Sequence, residues 1–128
     1  MRVLLDTHAV LWFINEHEKL STKAKSILLD DKHELYISIA SLWEVAIKVS
    51  LGKLTGLNGG VGTLIAQIEK TSIELLQISP RHIEIVESLP FIHRDPFDRV
   101  LIATAKFENM TILTSDENVQ KYDVSTVW

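Results

Sequence analysis

Short apolar, β-prone runs alternate with longer segments of helical periodicity along the whole chain, and this alternation restricts the fold more than any other feature. Residues 2–6, Leu35-Tyr36-Ile37, Ile73 to Ile78, 111–115 and 124–128 read as strands. Between them lie helical patterns at 7–15, Ser21 to about Leu29, Ser41 to Gly52, Thr63 to Thr71, Pro80 to just before Pro90, and Pro96 to Phe107. Several carry their own start and stop signals: Ser21 as an N-cap, Gly52 as a C-terminal residue, Pro80 and Pro96 at first helical positions. The clearest loop is Thr55-Gly56-Leu57-Asn58-Gly59-Gly60. Strands alternating with helices predict a mainly parallel sheet covered on both faces. No repeat, low-complexity tract or linker divides the 128 residues, so a single domain over 1–128 is expected.

Composition narrows the class. An apolar share of 46% with 23% charged residues fits a soluble globular domain. No apolar run is long enough to span a membrane, and Asp6 interrupts the N-terminal run too early for a signal peptide, so the expected compartment is cytoplasmic. The absence of cysteine excludes disulfides and thiolate metal sites. Net charge is −4, from 17 acids against 13 bases, which argues against tight nonspecific DNA binding by the free chain. A nuclease is still allowed, because bound divalent ions cancel ligand charge.

Four acids stand where apolar runs end or helices begin. Asp6 closes Val3-Leu4-Leu5, Glu44 lies in the first turn of the helix opening at Ser41, Asp98 opens another helix, and Asp116 follows Thr111-Ile112-Leu113-Thr114. In open parallel sheets, ligands sit beyond the strands' carboxyl ends, where strand order reverses. That gives Asp6 and Asp116 a geometric reason to meet. Converging carboxylates raise one another's pKa, and a hard cation with oxygen ligands removes the cost. The pattern therefore points to Mg²⁺ or Mn²⁺ and phosphoryl chemistry.

Each acid also has a purely structural explanation. Asp6 can cap the helix after it. Ser41-Leu42-Trp43-Glu44 has the form of a capping box, and Glu44 precedes Lys48 by one turn. Asp95-Pro96 reads as N-cap and first helical residue, with Asp98 completing a second box. Yet His93-Arg94-Asp95-Pro96-Phe97-Asp98-Arg99 holds more charge than capping requires. Only the joint placement favours a site. His8 and His93 lie near it, as ligands or phosphate contacts, whereas His17, His33 and His82 read as surface residues. Trp12 and Trp43 fall on apolar helix faces, suited to core or interface. No HExxH pair, GxSxG elbow or P-loop lysine is present.

Taken in order, Leu4-Leu5-Asp6-Thr7-His8, Ser41-Leu42-Trp43-Glu44-Val45-Ala46-Ile47-Lys48, Arg94-Asp95-Pro96-Phe97-Asp98-Arg99 and Thr114-Ser115-Asp116 resemble the motifs of the PIN domain, and within it the VapC-type toxins of bacterial toxin–antitoxin pairs. The resemblance spans essentially the whole chain. It implies a three-layer α/β/α sandwich and a Mg²⁺-dependent ribonuclease. Asp6, Glu44, Asp98 and Asp116 match the acidic quartet, and Thr114 matches the hydroxyl residue two positions before the last acid. Asp95 belongs to the same motif and ranks below Asp98, which directly precedes the Arg-Val-Leu-Ile-Ala helix. Arg94 and Arg99 are candidates for phosphate contacts, with pairing to a neighbouring acid as the other reading of Arg99.

The resemblance also implies partners: an RNA substrate, a homodimeric assembly, and a small antitoxin whose tail covers the active-site groove. Val10, Leu11, Ile14, Ile27 and Leu28, beside the Ser41 helix, either line that groove or belong to the core. The rival within the family is a noncatalytic PIN-like module serving RNA binding or assembly, which could dispense with some of the acids. A phosphoacceptor receiver domain needs an acid pair after its first strand and an acceptor Asp after its third, and neither is present here. A DxD phosphatase fails on Asp6-Thr7-His8.

Overall fold

In the computed structural model, which describes residues 1–128, five strands form one sheet of order β3-β2-β1-β4-β5. The strands are β1 (Arg2–Leu5), β2 (Glu34–Ser38), β3 (Glu74–Leu76), β4 (Thr111–Leu113) and β5 (Thr126–Val127). All four pairings are parallel, as the alternation predicts. The helices are α1 (Thr7–Ile14), α2 (Thr22–Leu29), α3 (Ile39–Ser50), α4 (Gly60–Glu69), α5 (Pro80–Ser88), α6 (Pro96–Glu108) and α7 (Glu117–Gln120).

The period-two geometry of a strand divides the core between two faces. Val3 and Leu5 point to a cluster built with α1 to α4, which includes Val10, Ile27, Val45, Leu64 and Ile68. Leu4 points the other way, to Leu101, Ile102, Met110, Ile112 and Tyr122 beside α5 and α6. Both faces of β1 are thus dry, which explains why its sequence is an unbroken apolar run rather than an alternating one. Leu4, Leu5, Ile37, Ile112 and Leu113 are fully buried. Each such side chain contributes about 1.5–3 kcal/mol through removal from water. The result is the expected three-layer α/β/α sandwich.

Several boundaries differ from the sequence reading. The third helix begins at Ile39, with Ser38 as its N-cap, so Ser41 lies inside it and the Ser41/Glu44 capping box does not form. Strand β2 runs straight into α3, and the hydroxyl that meets the free N–H groups belongs to the strand's last residue. Helix α4 starts at Gly60, three residues early; Gly59 caps it at φ 85°, where a Cβ would fall 1.9 Å from Thr63 Oγ1. Strand β3 is shorter than 73–78, and the single turn of α7 was not anticipated.

His82 corrects a further expectation. It is buried rather than on the surface, with Nδ1 accepting from the Ser79 N–H at 3.1 Å and Nε2 lying 2.9 Å from Glu108 Oε1. It thereby completes a capping box for α5 with an imidazole in place of the usual carboxylate. No helix is long and apolar enough to cross a membrane.

Candidate metal centre

Strand register places the site. Leu5 pairs with Ile37 on one side and with Leu113 on the other, so the next residues, Asp6, Ser38 and Thr114, emerge side by side at the carboxyl edge of the sheet. The order β3-β2-β1-β4-β5 reverses direction at β1/β4, the switch point where open sheets bind ligands. Asp6 and Thr114 flank that point.

Thr114 joins two of the acids. Its buried hydroxyl donates to Asp6 Oδ2 and accepts from the Asp116 backbone N–H at 3.0 Å. Asp6 Oδ1 accepts from the Ala9 N–H at 2.7 Å, so the residue caps α1 while its other oxygen faces the sheet edge. Asp116 caps α7 through Asn118 N–H at 2.8 Å. Both residues therefore cap a helix while lying at the sheet edge. Asp95 is different: its Oδ1 accepts from Phe97 N–H and Asp98 N–H at 2.9 and 3.2 Å, and it is occupied as the N-cap of α6. Asp98 is not a capping-box partner, because its Oδ2 lies 3.0 Å from His93 Nε2.

Electrostatics link three of the acids. Burial pushes the Asp6 carboxyl up from its ordinary value; hydrogen bonds from Thr114 and the Ala9 N–H and the His8 charge oppose this, and the charge of Asp116 adds to it. Burial also lifts Asp98, to about 6, opposed by its hydrogen bond with His93 and reinforced by the charges of Asp95 and Asp116. Both carboxylates thus feel Asp116, and all three lack a compensating lysine or arginine. Glu44 is buried and differently placed. It accepts from Thr7 Oγ1 at 2.8 Å and from Lys48 Nζ at 2.7 Å. Thr7 Oγ1 also lies 2.9 Å from Ser41 Oγ, which ties α1 to α3 beside Asp6.

The donor set suits a hard divalent cation. Oxygen-only acids, one buried and one half-buried and both repelled by a third, become favourable as anions when such an ion is bound. No three His, Asp or Glu side chains already stand round a common point. Asp6, Asp98 and Asp116 would hold the ion after side-chain rotation, and Glu44 would join only by loosening its pair with Lys48.

Arg99 is not free to meet phosphate, contrary to one of its two expected roles. It is buried and donates to the carbonyls of Pro90, Val86 and Leu89 at 2.9–3.3 Å and to the Tyr122 hydroxyl at 3.0 Å. It pairs with no acid either; it closes the C-terminal end of α5. Arg94 is exposed. Trp43 is 60% exposed, which excludes it from the core, and its ring meets Phe97 edge-on at 5.2 Å. Val10, Leu11, Ile27 and Leu28 are core residues and line no groove. A cavity of about 550 Å³ does lie beside α1 and α2, but it is lined by Phe13, Ile14, Leu20 and Leu29 together with the polar Glu16, His17, Glu18 and Lys25. A depression of about 320 Å³ near Lys106 and Asp123 sits at the opposite, amino ends of β4 and β5.

Sequence reasoning missed Thr7, the link between Glu44 and Ser41, and Tyr122, which supports His93. Thr7 had a signal in its position directly after Asp6. Tyr122 had none, since its contacts are tertiary.

Comparison with known proteins agrees with this architecture. Among solved structures, VapBC2 from Rickettsia felis, bound to a DNA fragment from its promoter, aligns over 99% of this chain and 98% of its own, with TM-score 0.74 and 18% identity. FitAcB from Neisseria gonorrhoeae aligns over 98% and 96%, with TM-score 0.68 and 19% identity. VapBC-1 from nontypeable Haemophilus influenzae aligns over 99% and 97%, with TM-score 0.67 and 15% identity. At these identities the likeness is one of fold. No curated protein matches by sequence. The PIN domain family pattern matches residues 3–125, nearly the full length, and with the acids gathered at the sheet's switch point it establishes that this chain belongs to the PIN domain family.

Proposed function

We propose that the chain is a Mg²⁺-dependent endoribonuclease, with Mn²⁺ as an alternative ion, and the toxin of a toxin–antitoxin pair. The observation that carries this reading is the Thr114 bridge, which holds Asp6 and Asp116 together at the sheet edge while both Asp6 and Asp98 feel the Asp116 charge. Asp6, Asp98 and Asp116 hold the ion. When bound, it supplies an activated water and charge stabilisation at a phosphodiester. Thr114 orients Asp6, and Glu44 stands ready to orient water once separated from Lys48. Exposed Arg94 contacts a substrate phosphate. Hydrolysis by water leaves a 5′-phosphate and a 3′-hydroxyl.

The same fold occurs in a toxin–antitoxin complex from Klebsiella pneumoniae, at TM-score 0.65 and 15% identity. By analogy, a small antitoxin partners this chain, and its apolar tail fits the cavity at Phe13, Ile14, Leu20 and Leu29. The exposed Trp43 against Phe97 suits a homodimer contact. One observation favours a noncatalytic module instead: Glu44 is neutralised by Lys48. Calorimetric titration with Mg²⁺ tests the two. Binding that disappears in Asp6→Asn and Asp116→Asn supports the nuclease, and no binding to folded wild type supports the module.

A further inference from the structure

His93 lies in the turn before α6, and its ring is held at both ends. Nε2 is 3.0 Å from Asp98 Oδ2, and Nδ1 is 2.9 Å from the Tyr122 hydroxyl. Tyr122 is buried, as is Arg99, whose Nη1 donates to the same hydroxyl at 3.0 Å. The backbone N–H of His93 donates to it as well, at 3.3 Å. A phenol oxygen has two lone pairs and one proton. Arg99 and the His93 N–H take the lone pairs. The proton can then go to Nδ1 or to the His93 carbonyl, and Nδ1 is nearer, at 2.9 against 3.4 Å. Nδ1 is therefore the acceptor, and the ring proton sits on Nε2. There it faces Asp98 Oδ2 at 3.0 Å, a carboxylate oxygen in line to accept it. Both ends of the ring demand the same tautomer.

We propose that His93 is a positioning residue for Asp98: Arg99 and Tyr122 fix its Nε2–H tautomer, and that N–H holds Asp98 Oδ2, which would leave Oδ1 free for a cation. The inference rests on the metal-nuclease reading of the site. Neither ring nitrogen is available as a ligand, so the expectation of His93 as a metal ligand gives way to a supporting role. The edge-on packing of the His93 and Tyr122 rings, 5.4 Å between centroids, restrains the same orientation. An outer partner of this kind typically changes metal affinity about 10–100-fold when removed.

The test begins with imidazole ¹⁵N NMR of the metal-free protein at about pH 8, above the ordinary imidazole range. The expected result for wild type is the Nε2–H tautomer at His93, with a mixed population in Tyr122→Phe. An Nδ1–H tautomer in wild type overturns the proposal and needs no variant to fold. The second arm measures Mn²⁺ binding by calorimetry. His93→Ala should bind about 10-fold more weakly, whereas His93→Gln, whose amide can still donate to Asp98, should stay close to wild type. Equal affinities in wild type and His93→Ala overturn the proposal. Failure of wild type to bind Mn²⁺ counts against the nuclease reading instead, and the tautomer still decides the role of His93.

Discussion

Asp98 is the side chain through which acid should act oppositely on metal-free stability and on the proposed metal binding. Its folded pKa is about 6 against an ordinary 3.8, chiefly because burial disfavours the anion. A carboxyl raised in this way favours the folded state below its unfolded pKa, and the contribution is lost as pH rises through about 6. Lowering the pH from about 7 to about 5 should therefore stabilise metal-free wild type relative to Asp98→Asn in urea unfolding. Parallel pH profiles for the two proteins would contradict the assignment. Metal affinity should fall over the same window, because protons and Mg²⁺ compete for the same oxygen. The placement of Asp6 and Asp116 beyond apolar strands, and of Glu44 and Asp98 in helices, was legible in the sequence. The division of labour among them was not, because it depends on which neighbours reach each oxygen: Thr114 at Asp6, Lys48 at Glu44, His93 at Asp98.

At the scale of elements, α6 joins structure to site. Asp95 starts it, Asp98 points from its first turn, and Arg99, one residue on, turns into the core to meet the carbonyls that end α5. Arg99→Ala leaves those buried acceptors unpaired, so a loss of about 3 kcal/mol is expected in urea unfolding. Arg94→Ala should leave stability unchanged and raise KM for RNA, since its side chain is in solvent. The reverse assignment would show as a stable Arg99→Ala protein with weakened substrate binding. Helix starts were readable where proline fixed them, at Pro80 and Pro96. Between Ser38 and Ser41 local chemistry was ambiguous. Ser41 had the better motif, and Ser38 prevailed because strand pairing ends there and leaves no linker before α3. His82 was misread for a related reason: its contact with Ser79 is local to the start of α5, but Glu108, at its other ring nitrogen, ends α6 and is reached only through the packing of α5 on α6.

Across the whole molecule, the alternation of strands and helices was enough to give the parallel sheet, and the sheet then brings residues 108 positions apart into contact at Asp6 and Thr114. Surface function was harder to read, because apolar residues of the core and of a groove look alike in sequence. Ile27 and Leu29 illustrate this: the first is 7% exposed and the second 62%. Leu29→Glu should leave folding unchanged and abolish co-purification with a co-expressed antitoxin of the proposed kind, whereas Ile27→Glu should unfold the chain. Retained co-purification in folded Leu29→Glu would remove the α1/α2 cavity as the partner's site. The central claim is metal-dependent RNA hydrolysis by the acids at the sheet edge. Its most direct test is incubation of purified, partner-free protein with total RNA and Mg²⁺, beside EDTA and Asp6→Asn controls, with mapping of the new ends. Discrete fragments with 5′-phosphates, absent from both controls, are the predicted result. Fragments that persist in EDTA, or that carry 2′,3′-cyclic phosphates, would contradict it.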